Sequence, residues 1–337
     1  MRVRKESKLN MMVLLLEKIR HLVATNTHST KRDIYYQEVA LFGSQRAVDA
    51  LLDDVTRLLA IPRQSSHVRA TSKGLVAGDL DGLEADGRDG RQFPICSSHR
   101  PCRSPATAGL LVPEDLPHVQ LVRSSARFIL VVEKDATFQK ILDSRLLRHL
   151  PPGIVITGKG FPDLNTRLLL RLLTTQLQVP ALALLDADPH GLEILFVYKY
   201  GSLARAHEAA SLATPDLMWL GLRPTEVLQL NIPQTGKRHS KLAHLTPFPV
   251  LSVQIREILA SGRKAEIQTL SALHPTFLTD LYLPSKIGEC LSTARGELPA
   301  PAPAPEEEPY RESLRSGPGA EAVSLGPEVI QNADIER

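Results

Sequence analysis

Apolar residues recur at helical spacing in the N-terminal part of the chain. The first series predicts a helix over about residues 8–25. A second helix is expected over Thr30–Leu41, where Ser29 or Thr30 can provide the N-cap. A third follows Ser44 and ends before Pro62. The pattern therefore predicts three short helices in succession.

Two short β-like stretches follow the third predicted helix. They cover His67–Ala70 and Gly74–Ala77, and the turn between them predicts a β-hairpin. Three helices and a hairpin form a winged helix, a variant of the helix-turn-helix DNA reader, although many small helical domains share this order. We therefore assign residues 1–77 to such a domain. Residues 78–125, rich in Asp, Gly, Arg and Pro, are predicted to be a loop-rich connector with one strand near Gly109–Val112.

A strand–helix alternation begins near Arg127. Continuous apolar runs predict strands buried on both faces, and segments of helical spacing separate them. The predicted strands are Phe128–Val132, Ile154–Thr157, Ala181–Leu185 and Met218–Leu222, and the predicted helices are Phe138–Leu150, Leu164–Leu177, Gly191–Tyr200 and others within Arg256–Leu273. This order predicts an α/β domain with a mostly parallel sheet over residues 126–287. Residues 288–337, rich in Pro, Ala and Glu, are expected to be a disordered tail.

Composition excludes several classes of protein. The chain has 337 residues and is 43% apolar and 23% charged, which argues against global disorder, collagen and coiled coils. Its net charge of +3 is too small to indicate by itself that the protein binds nucleic acid. Three cysteines argue against a disulfide scaffold. The apolar run Met11–Leu16 is too short for a signal core or a membrane span, so we expect a soluble intracellular protein.

Acidic residues follow two of the predicted parallel strands. Glu133 ends the first strand, and Asp186 and Asp188 end the third. Carboxyl ends of parallel strands meet at one edge of a sheet, where converging carboxylates repel one another and favour a hard cation such as Mg²⁺. Asp188 could instead simply cap the next helix. For the set of three we favour a metal site that would neutralise phosphate charge.

A glycine-flanked lysine follows the second strand of the α/β domain. The Gly158-Lys159-Gly160 turn lacks the Walker pattern, so we infer no nucleotide hydrolysis by this chain. Such a turn can still shape a phosphate site, which makes Lys159 a candidate DNA contact.

The second predicted helix carries an arginine and two tyrosines. Arg32 lies three residues before Tyr35 and four before Tyr36, so spacing alone does not choose between the tyrosines. A phenol can attack a DNA phosphate and later leave again, and an arginine can hold that phosphate and stabilise its charge. Ordinary packing of the two rings is the alternative interpretation.

Other polar residues are candidate ligands. Lys31 beside the tyrosines, and Arg63, Arg69 and Lys73 in the predicted wing, are candidate contacts to DNA phosphates, and a further basic cluster spans residues 237–241. No base-reading set stands out, so little sequence preference is expected. The spacing of Cys96, His99 and Cys102 is too loose for a structural zinc site, and we interpret it as an incidental loop.

Several motifs together resemble one family. The blocks are KRDIYYQEVALFGSQ, TSKGLVAGDL, VVEKDATFQKILD, ITGKGFPDLNTR, LLDADPHGLEIL and YKYGS. In this order they resemble a DNA transesterase family, which comprises the A subunit of topoisomerase VI and its eukaryotic relatives that initiate meiotic recombination, and the chain looks like a vertebrate member. The likeness covers about residues 9–287. It implies a winged helix followed by a Toprim domain, a metal-binding α/β fold of topoisomerases and primases.

The resemblance also assigns roles to residues. It implies that Tyr36 is the nucleophile, that Arg32 assists cleavage, and that Glu133, Asp186 and Asp188 hold Mg²⁺. It further implies a homodimer that cuts both strands of double-stranded DNA in the nucleus and stays bound to each 5′ end. Its implied partners are accessory proteins of meiotic break formation and a B-type ATP-binding subunit. The chain departs from the family in a short segment before the first helix, in the connector, and in the added tail.

Two other functions are compatible with the same sequence. The metal site could activate water, which would make the protein a Toprim nuclease. Alternatively, the altered ends could make it a non-catalytic DNA-binding variant. The first expectation is a transesterase, because the tyrosine motif accompanies the acidic residues.

Overall fold

The computed structural model of the chain describes residues 8–69, 71–80, 82–86, 92–96, 109–114, 116, 119–202, 208–232 and 264–294. At 82–86, 92–96 and 120–122 the description is of the backbone alone. Residues outside these ranges include His99 and Cys102 of the Cys-His-Cys set, the basic cluster at 237–241 and residues 295–337 of the predicted tail.

The helices and strands are numbered in chain order. The helices are α1 Lys8–Ala24, α2 Lys31–Gln37, α3 Val39–Phe42, α4 Gln45–Leu59, α5 Asp135–Asp143, α6 Leu146–His149, α7 Leu164–Leu177, α8 Pro189–Tyr200, α9 Ala209–Leu212, α10 Pro224–Gln229 and α11 Leu283–Ala294. The strands are β1 Ser29–Thr30, β2 Val68–Arg69, β3 Leu75–Gly78, β4 Gly82–Asp86, β5 Gln92–Cys96, β6 Leu110–Leu111, β7 Val119–Arg123, β8 Phe128–Val132, β9 Gly153–Thr157, β10 Ala181–Leu184 and β11 Met218–Gly221.

The N-terminal helices form where the sequence predicts them, with one interruption. The second predicted helix divides into α2 and α3 because Glu38 adopts φ −140° and ψ 49°, which is not helical. Ser44 caps α4 by accepting a hydrogen bond from the amide of Ala47. Buried residues of α1, α2 and α4, among them Leu15, Ile34 and Leu52, form one apolar core.

The prediction of a β-hairpin after the third helix is wrong. β2 pairs in parallel with β1, whereas β3 pairs antiparallel with β9 of the large sheet. The reason is burial: Val76 and Ala77 of β3 are 1% and 3% exposed in that sheet, which a free two-stranded hairpin could not achieve. A short alternating stretch predicts a strand but does not identify the partner of that strand.

The segment predicted as a loop-rich connector also differs from expectation. β4, β5 and β7 form a three-stranded antiparallel sheet in the order β5-β4-β7. These strands pair through backbone hydrogen bonds. A sequence rich in Gly, Asp and Arg gives no apolar pattern from which such strands could be predicted. The strand expected near Gly109–Val112 is present as β6.

The predicted α/β class with a mostly parallel sheet is confirmed. The large sheet has six strands in the order β11-β10-β8-β9-β3-β6, and the four strands from β11 to β9 are parallel. Val132 at the end of β8 lies opposite Leu184 of β10 on one side and Thr157 of β9 on the other. The carboxyl ends of these three strands are therefore adjacent.

Helices cover both faces of this sheet. Ile129 and Val131 of β8 pack with α7 and α8, while Leu130 and Val132 pack on the opposite face with α5 and the C-terminal segment. The predicted start of the disordered tail at residue 288 is wrong, since α11 continues to Ala294. It does so because Ile287, Cys290 and Leu291 pack on that second face.

None of the helices in the described part of the chain is both long and apolar enough to cross a membrane.

Candidate active site

Three carboxylates lie where the strands of the parallel sheet end. Glu133 follows β8, and Asp186 and Asp188 follow the neighbouring strand β10. The amide of Asp186 donates a hydrogen bond of 2.9 Å to Oε2 of Glu133. We call these three residues the acid cluster. The structure thus brings Glu133 beside Asp186, as the strand order predicted.

Two members of the acid cluster, Glu133 and Asp186, are buried, and Asp188 is half-buried. Glu133 is 8% exposed and Asp186 is 4% exposed. Burial, together with the negative charge of Asp186, raises the pKa of Glu133 to about 7. Burial also raises the pKa of Asp186, although an ion pair with Lys134 opposes this rise. The cluster would therefore gain from additional positive charge.

Two lysines supply part of that charge. Nζ of Lys134 lies 2.8 Å from Oδ2 of Asp186, and Nζ of Lys264 lies 3.4 Å from Oδ2 of Asp188. Asp188 also caps α8, because its Oδ1 accepts a hydrogen bond of 2.8 Å from the amide of Gly191. The capping role that the sequence left open is therefore present, and it leaves the second oxygen of Asp188 facing a cation.

A segment from the C-terminal part of the chain crosses the acid cluster. We call residues 264–268 the strap. Ala265 pairs through its backbone with Ala187, and the amide of Ile267 donates a hydrogen bond of 2.9 Å to Oδ1 of Asp186. Nζ of Lys134 also contacts Oε2 of Glu266 at 2.7 Å and Oε1 of Gln268 at 2.8 Å. The strap therefore bonds directly to the acid cluster and to its lysine.

The donor set suits a hard divalent cation. Carboxylate oxygens are the ligands that Mg²⁺ prefers in proteins, and the raised pKa values of Glu133 and Asp186 reflect crowded negative charge. Among the described residues, no three His, Cys, Asp or Glu side chains converge in the geometry of a formed metal site. Lysine ammonium groups contact Asp186 and Asp188 in this arrangement.

The Gly-Lys-Gly turn lies against the backbone of the acid cluster. The amide of Gly160 donates a hydrogen bond of 2.8 Å to the carbonyl oxygen of Glu133. Lys159 adopts a left-handed φ of 51°, and its Nζ lies 3.1 Å from Oδ2 of Asp135. Nζ of Lys73 donates to the carbonyl of Lys159 at 3.3 Å. The structure therefore brings two of the candidate DNA-contacting lysines together near the cluster.

The tyrosine helix α2 begins with a capping box. The Thr30 hydroxyl accepts a hydrogen bond from the amide of Asp33, whose carboxylate accepts one from the amide of Thr30. Ile34 is buried, and Tyr35 packs against the N-terminal core. Tyr36 is 66% exposed. The structure therefore separates the two tyrosines that spacing left equivalent, and Tyr36 is the one that solvent and a ligand can reach.

Arg32 lines a cleft of about 550 Å³ between the N-terminal helices and the start of α7. Lys31, Asp49 and Arg167 also line it. In the described ranges, no hydrogen bond or ion pair joins Tyr36 to any member of the acid cluster. The structure of one chain therefore does not bring the candidate nucleophile into contact with the candidate metal site.

The remaining basic candidates differ in accessibility. Lys73 is exposed, Arg69 is half-buried, and Nζ of Lys31 lies 2.7 Å from Oδ2 of Asp49. Arg63 is 2% exposed, and its guanidinium pairs with Asp49 at 2.7 Å and Asp53 at 3.1 Å. Its amide also donates to Glu208. These contacts argue for a structural role of Arg63 rather than a contact with DNA.

Sequence reasoning missed two residues that organise the site. One is Lys134, whose position directly after Glu133 was the available signal. The other is Asp163, which caps α7 through the amide of Thr166 and also accepts hydrogen bonds from the amides of Lys73 at 2.8 Å and Gly74 at 3.2 Å. Only the tertiary structure discloses this second set of contacts, which fixes the start of β3 against α7.

Family models match two parts of the chain. Residues 128–287 match the model of the Toprim domain shared by the topoisomerase 6 A-subunit and Spo11. Residues 7–68 match the model described as type IIB DNA topoisomerase. The first range contains the acid cluster, and the second contains Arg32 and Tyr36.

Individual relatives match most of the chain. It is 40% identical over 292 residues to meiotic recombination protein SPO11 of Mus musculus, an alignment that covers 83% of this chain and 71% of the relative. The human protein of the same name is 41% identical with the same coverage. The A-subunit of DNA topoisomerase 6 from Arabidopsis thaliana is 36% identical over 285 residues, which cover 81% of this chain and 64% of that protein.

Proposed function

The chain belongs to the family of Spo11 and the topoisomerase 6 A-subunit, and from this membership we infer that it is a topoisomerase-like enzyme that cleaves DNA to form double-strand breaks in meiosis. Both family models match, in the order that the sequence motifs predict. The identity with the two mammalian SPO11 proteins exceeds that with the plant topoisomerase, which favours the meiotic role.

We propose that Tyr36 is the nucleophile of this reaction. Its phenolic oxygen attacks a phosphorus atom of the DNA backbone, and the bond from phosphorus to the 3′ oxygen breaks. The phenol gives up one proton and the departing 3′ oxygen takes one up, so no net acid is consumed. The product is a 5′-phosphotyrosyl link and a free 3′ hydroxyl. Because no water attacks, the reaction can run backwards, or the phosphate can be transferred from the tyrosine to another acceptor.

Arg32 would bind the phosphate that Tyr36 attacks. It lies one helical turn before Tyr36 on α2 and lines the cleft, so its guanidinium can reach an anion held there. A bidentate arginine stabilises the charge that develops on the phosphate oxygens in the transition state. Lys73 and Lys159 are proposed to contact neighbouring phosphates.

Glu133, Asp186 and Asp188 would hold Mg²⁺. Toprim domains are metal-binding in general, and the match to that domain covers all three residues. A bound magnesium ion would neutralise phosphate charge during the transfer. The support for this assignment is the burial of Glu133 and Asp186, together with the raised pKa values of these two residues.

The active form is proposed to be a homodimer bound to double-stranded DNA. Tyr36 is exposed and has no described bond to the acid cluster of its own chain, so we propose that it reaches the cluster of a second copy. Accessory proteins of meiotic break formation and a B-type ATP-binding subunit complete the proposed assembly. Family membership indicates a role on chromosomes in the nucleus, and meiotic chromosomes are the proposed location.

The accessibility of Tyr36 beside a packed Tyr35 is the observation that supports the proposed chemistry best. It predicts that Tyr36→Phe abolishes covalent protein–DNA adducts, because the phenylalanine lacks the attacking oxygen. Tyr35→Phe is the matched control and should retain adducts. The measurement is recovery of oligonucleotides linked to the protein from meiotic cells that lack the natural enzyme.

Three results would contradict the proposal in different ways. Continued cutting by Tyr36→Phe without adducts would indicate a metal-dependent nuclease. Adducts that persist in Tyr36→Phe but disappear in Tyr35→Phe would assign the reaction to Tyr35. Failure of the parent chain to restore breaks, despite normal expression and nuclear entry, would indicate a non-catalytic DNA-binding variant.

A further inference from the structure

Lys134 stands at the centre of the contacts between the acid cluster and the strap. Its Nζ lies 2.8 Å from Oδ2 of Asp186, 2.7 Å from Oε2 of Glu266 and 2.8 Å from Oε1 of Gln268. An ammonium group has three hydrogens to donate, so these three acceptors satisfy it fully. One lysine is thus shared between a residue of the candidate metal site and two residues outside it.

This sharing limits the oxygens that Asp186 can offer to a cation. Its Oδ1 already accepts a hydrogen bond of 2.9 Å from the amide of Ile267, and its Oδ2 is in contact with Lys134. Oε2 of Glu133 likewise accepts a hydrogen bond from the amide of Asp186. A divalent cation that binds Oδ2 of Asp186 must therefore compete with the ammonium of Lys134.

Glu266 and Gln268 provide a place for the ammonium after that competition. The side chain of Glu266 is 49% exposed, so its pairing with Lys134 requires little desolvation. Gln268 adds a neutral oxygen acceptor. Lys134 can lose its contact with Asp186 and still keep two of its three acceptors.

We propose that Lys134 is the built-in counter-ion of Asp186 in the acid cluster, and that Glu266 and Gln268 of the strap hold its ammonium when a divalent cation takes Oδ2 of Asp186. Lys134 and Glu266 are therefore positioning residues for the metal. The strap couples occupancy of the metal site to the C-terminal segment that packs on the same face of the sheet. This inference rests on the proposed metal site.

The test is a double-mutant cycle on divalent binding, measured with Mn²⁺ and the full chain in the absence of DNA. Lys134→Met removes the competing ammonium and should tighten Mn²⁺ binding about tenfold, a typical size for coupling between sites. Glu266→Gln leaves Lys134 with Asp186 as its only charged acceptor and should weaken binding about fivefold, within the same range of coupling. In the double variant the effect of Glu266→Gln should vanish, because Lys134 is absent.

Lys140→Met is the matched control for the lysine substitution. Lys140 lies on helix α5, which begins directly after Lys134, and donates to Ser271 of the same C-terminal segment at 2.8 Å, whereas none of its described contacts is with the acid cluster. Its substitution should leave the dissociation constant for Mn²⁺ unchanged. An equal gain in Lys140→Met would overturn the inference, since the effect would then reflect general charge rather than competition at Asp186.

The cycle distinguishes the inference from direct ligation by Glu266. If Glu266→Gln weakens binding equally with and without Lys134, Glu266 acts as a metal ligand and the inference fails. If Lys134→Met does not fold, Gln268→Leu gives a second test, because it changes no formal charge and its described hydrogen bond is to Lys134. It should weaken binding about twofold, which corresponds to the low end of the net free energy of one neutral hydrogen bond, and an unchanged constant would overturn the inference.

The controls also separate this inference from the proposed function. Failure of the parent chain to bind Mn²⁺, or binding that survives Asp186→Asn with Asp188→Asn, would refute the metal site and the inference together. Binding that depends on the two aspartates, but shows no coupling between Lys134 and Glu266, would refute the inference alone.

Discussion

Arg63 is expected to stabilise the fold rather than bind DNA. Its side chain is 2% exposed, and its guanidinium pairs with Asp49 at 2.7 Å and with Asp53 at 3.1 Å. The substitution Arg63→Met keeps the length and apolar surface of the side chain but removes the charge. The two aspartates of α4 then lose the cation that lies between them.

The expected loss in the free energy of unfolding depends on how deeply each member of the ion pairs is buried. Loss of one member of a fully buried ion pair costs about 3–5 kcal/mol. Here the side chains of Asp49 and Asp53 are 40% and 22% exposed, so water can solvate them after the change. Asp49 also keeps Lys31 at 2.7 Å. Nε of Arg63 has no hydrogen-bond partner among the described atoms, and its removal recovers about 1 kcal/mol. The net loss is therefore about 2 kcal/mol, by the same reasoning.

Thermal unfolding and a salt titration test this prediction together. A loss of about 2 kcal/mol lowers the midpoint of unfolding by about 3 °C for a chain of 337 residues. Arg57→Met is the matched control, since Arg57 is 52% exposed and pairs with Asp54 at 3.6 Å, and it should change the midpoint by less than about 1 °C. The slope of log affinity for DNA against log salt should not change in Arg63→Met. An unchanged midpoint with a slope reduced by about 0.9 would refute the reasoning and restore Arg63 as a phosphate contact.

Two further substitutions test how the backbone and the C-terminal segment pack. Gly74→Ala should lower the midpoint of unfolding markedly, because a Cβ there would clash with Oγ1 of Thr166 and lie only 3.0 Å from the carbonyl oxygen of Thr157. Gly288→Ala, with nothing within 4 Å, should leave the midpoint unchanged or raise it. Equal effects of the two would contradict the close approach. Tyr282→Phe should cost about 1.5 kcal/mol in chemical denaturation, because its hydroxyl donates a 2.7 Å hydrogen bond to buried Glu226, and no loss would mean that water replaces it.

The sequence predicted the central sheet well because strands that are buried on both faces are apolar at every position. β8 reads as five consecutive apolar residues, and each of them is buried. The same reasoning placed Glu133 and Asp186 at adjacent strand ends, since parallel strands that alternate with helices leave few possible neighbours. Element type and order are local properties, so they can be read from local patterns.

Pairing partners could not be read in this way. The stretch that forms β3 has the alternation of a strand, but its neighbour β9 lies about eighty residues later in the chain. The choice depends on close approaches such as that of Gly78, whose φ of +108° brings its backbone against Gly153. The extension of the C-terminal helix beyond residue 287 was not predicted, for a related reason. Ile287 and Leu291 have helical spacing, yet the Pro-rich composition downstream dominated the interpretation.

The two halves of the proposed reaction place opposite demands on the chain, and these demands explain why the halves lie on different elements. A nucleophile that must reach a phosphate has to be exposed, and Tyr36 lies on a helix of seven residues that is held by the Thr30–Asp33 capping box. Acids that hold a cation must instead be crowded and partly desolvated, as Glu133 and Asp186 are. Crowding of this kind needs a compensating charge while the metal is absent. Lys134 meets that need at Asp186, so the lysine that stabilises the acid cluster is also the group that a metal in the proposed site would displace.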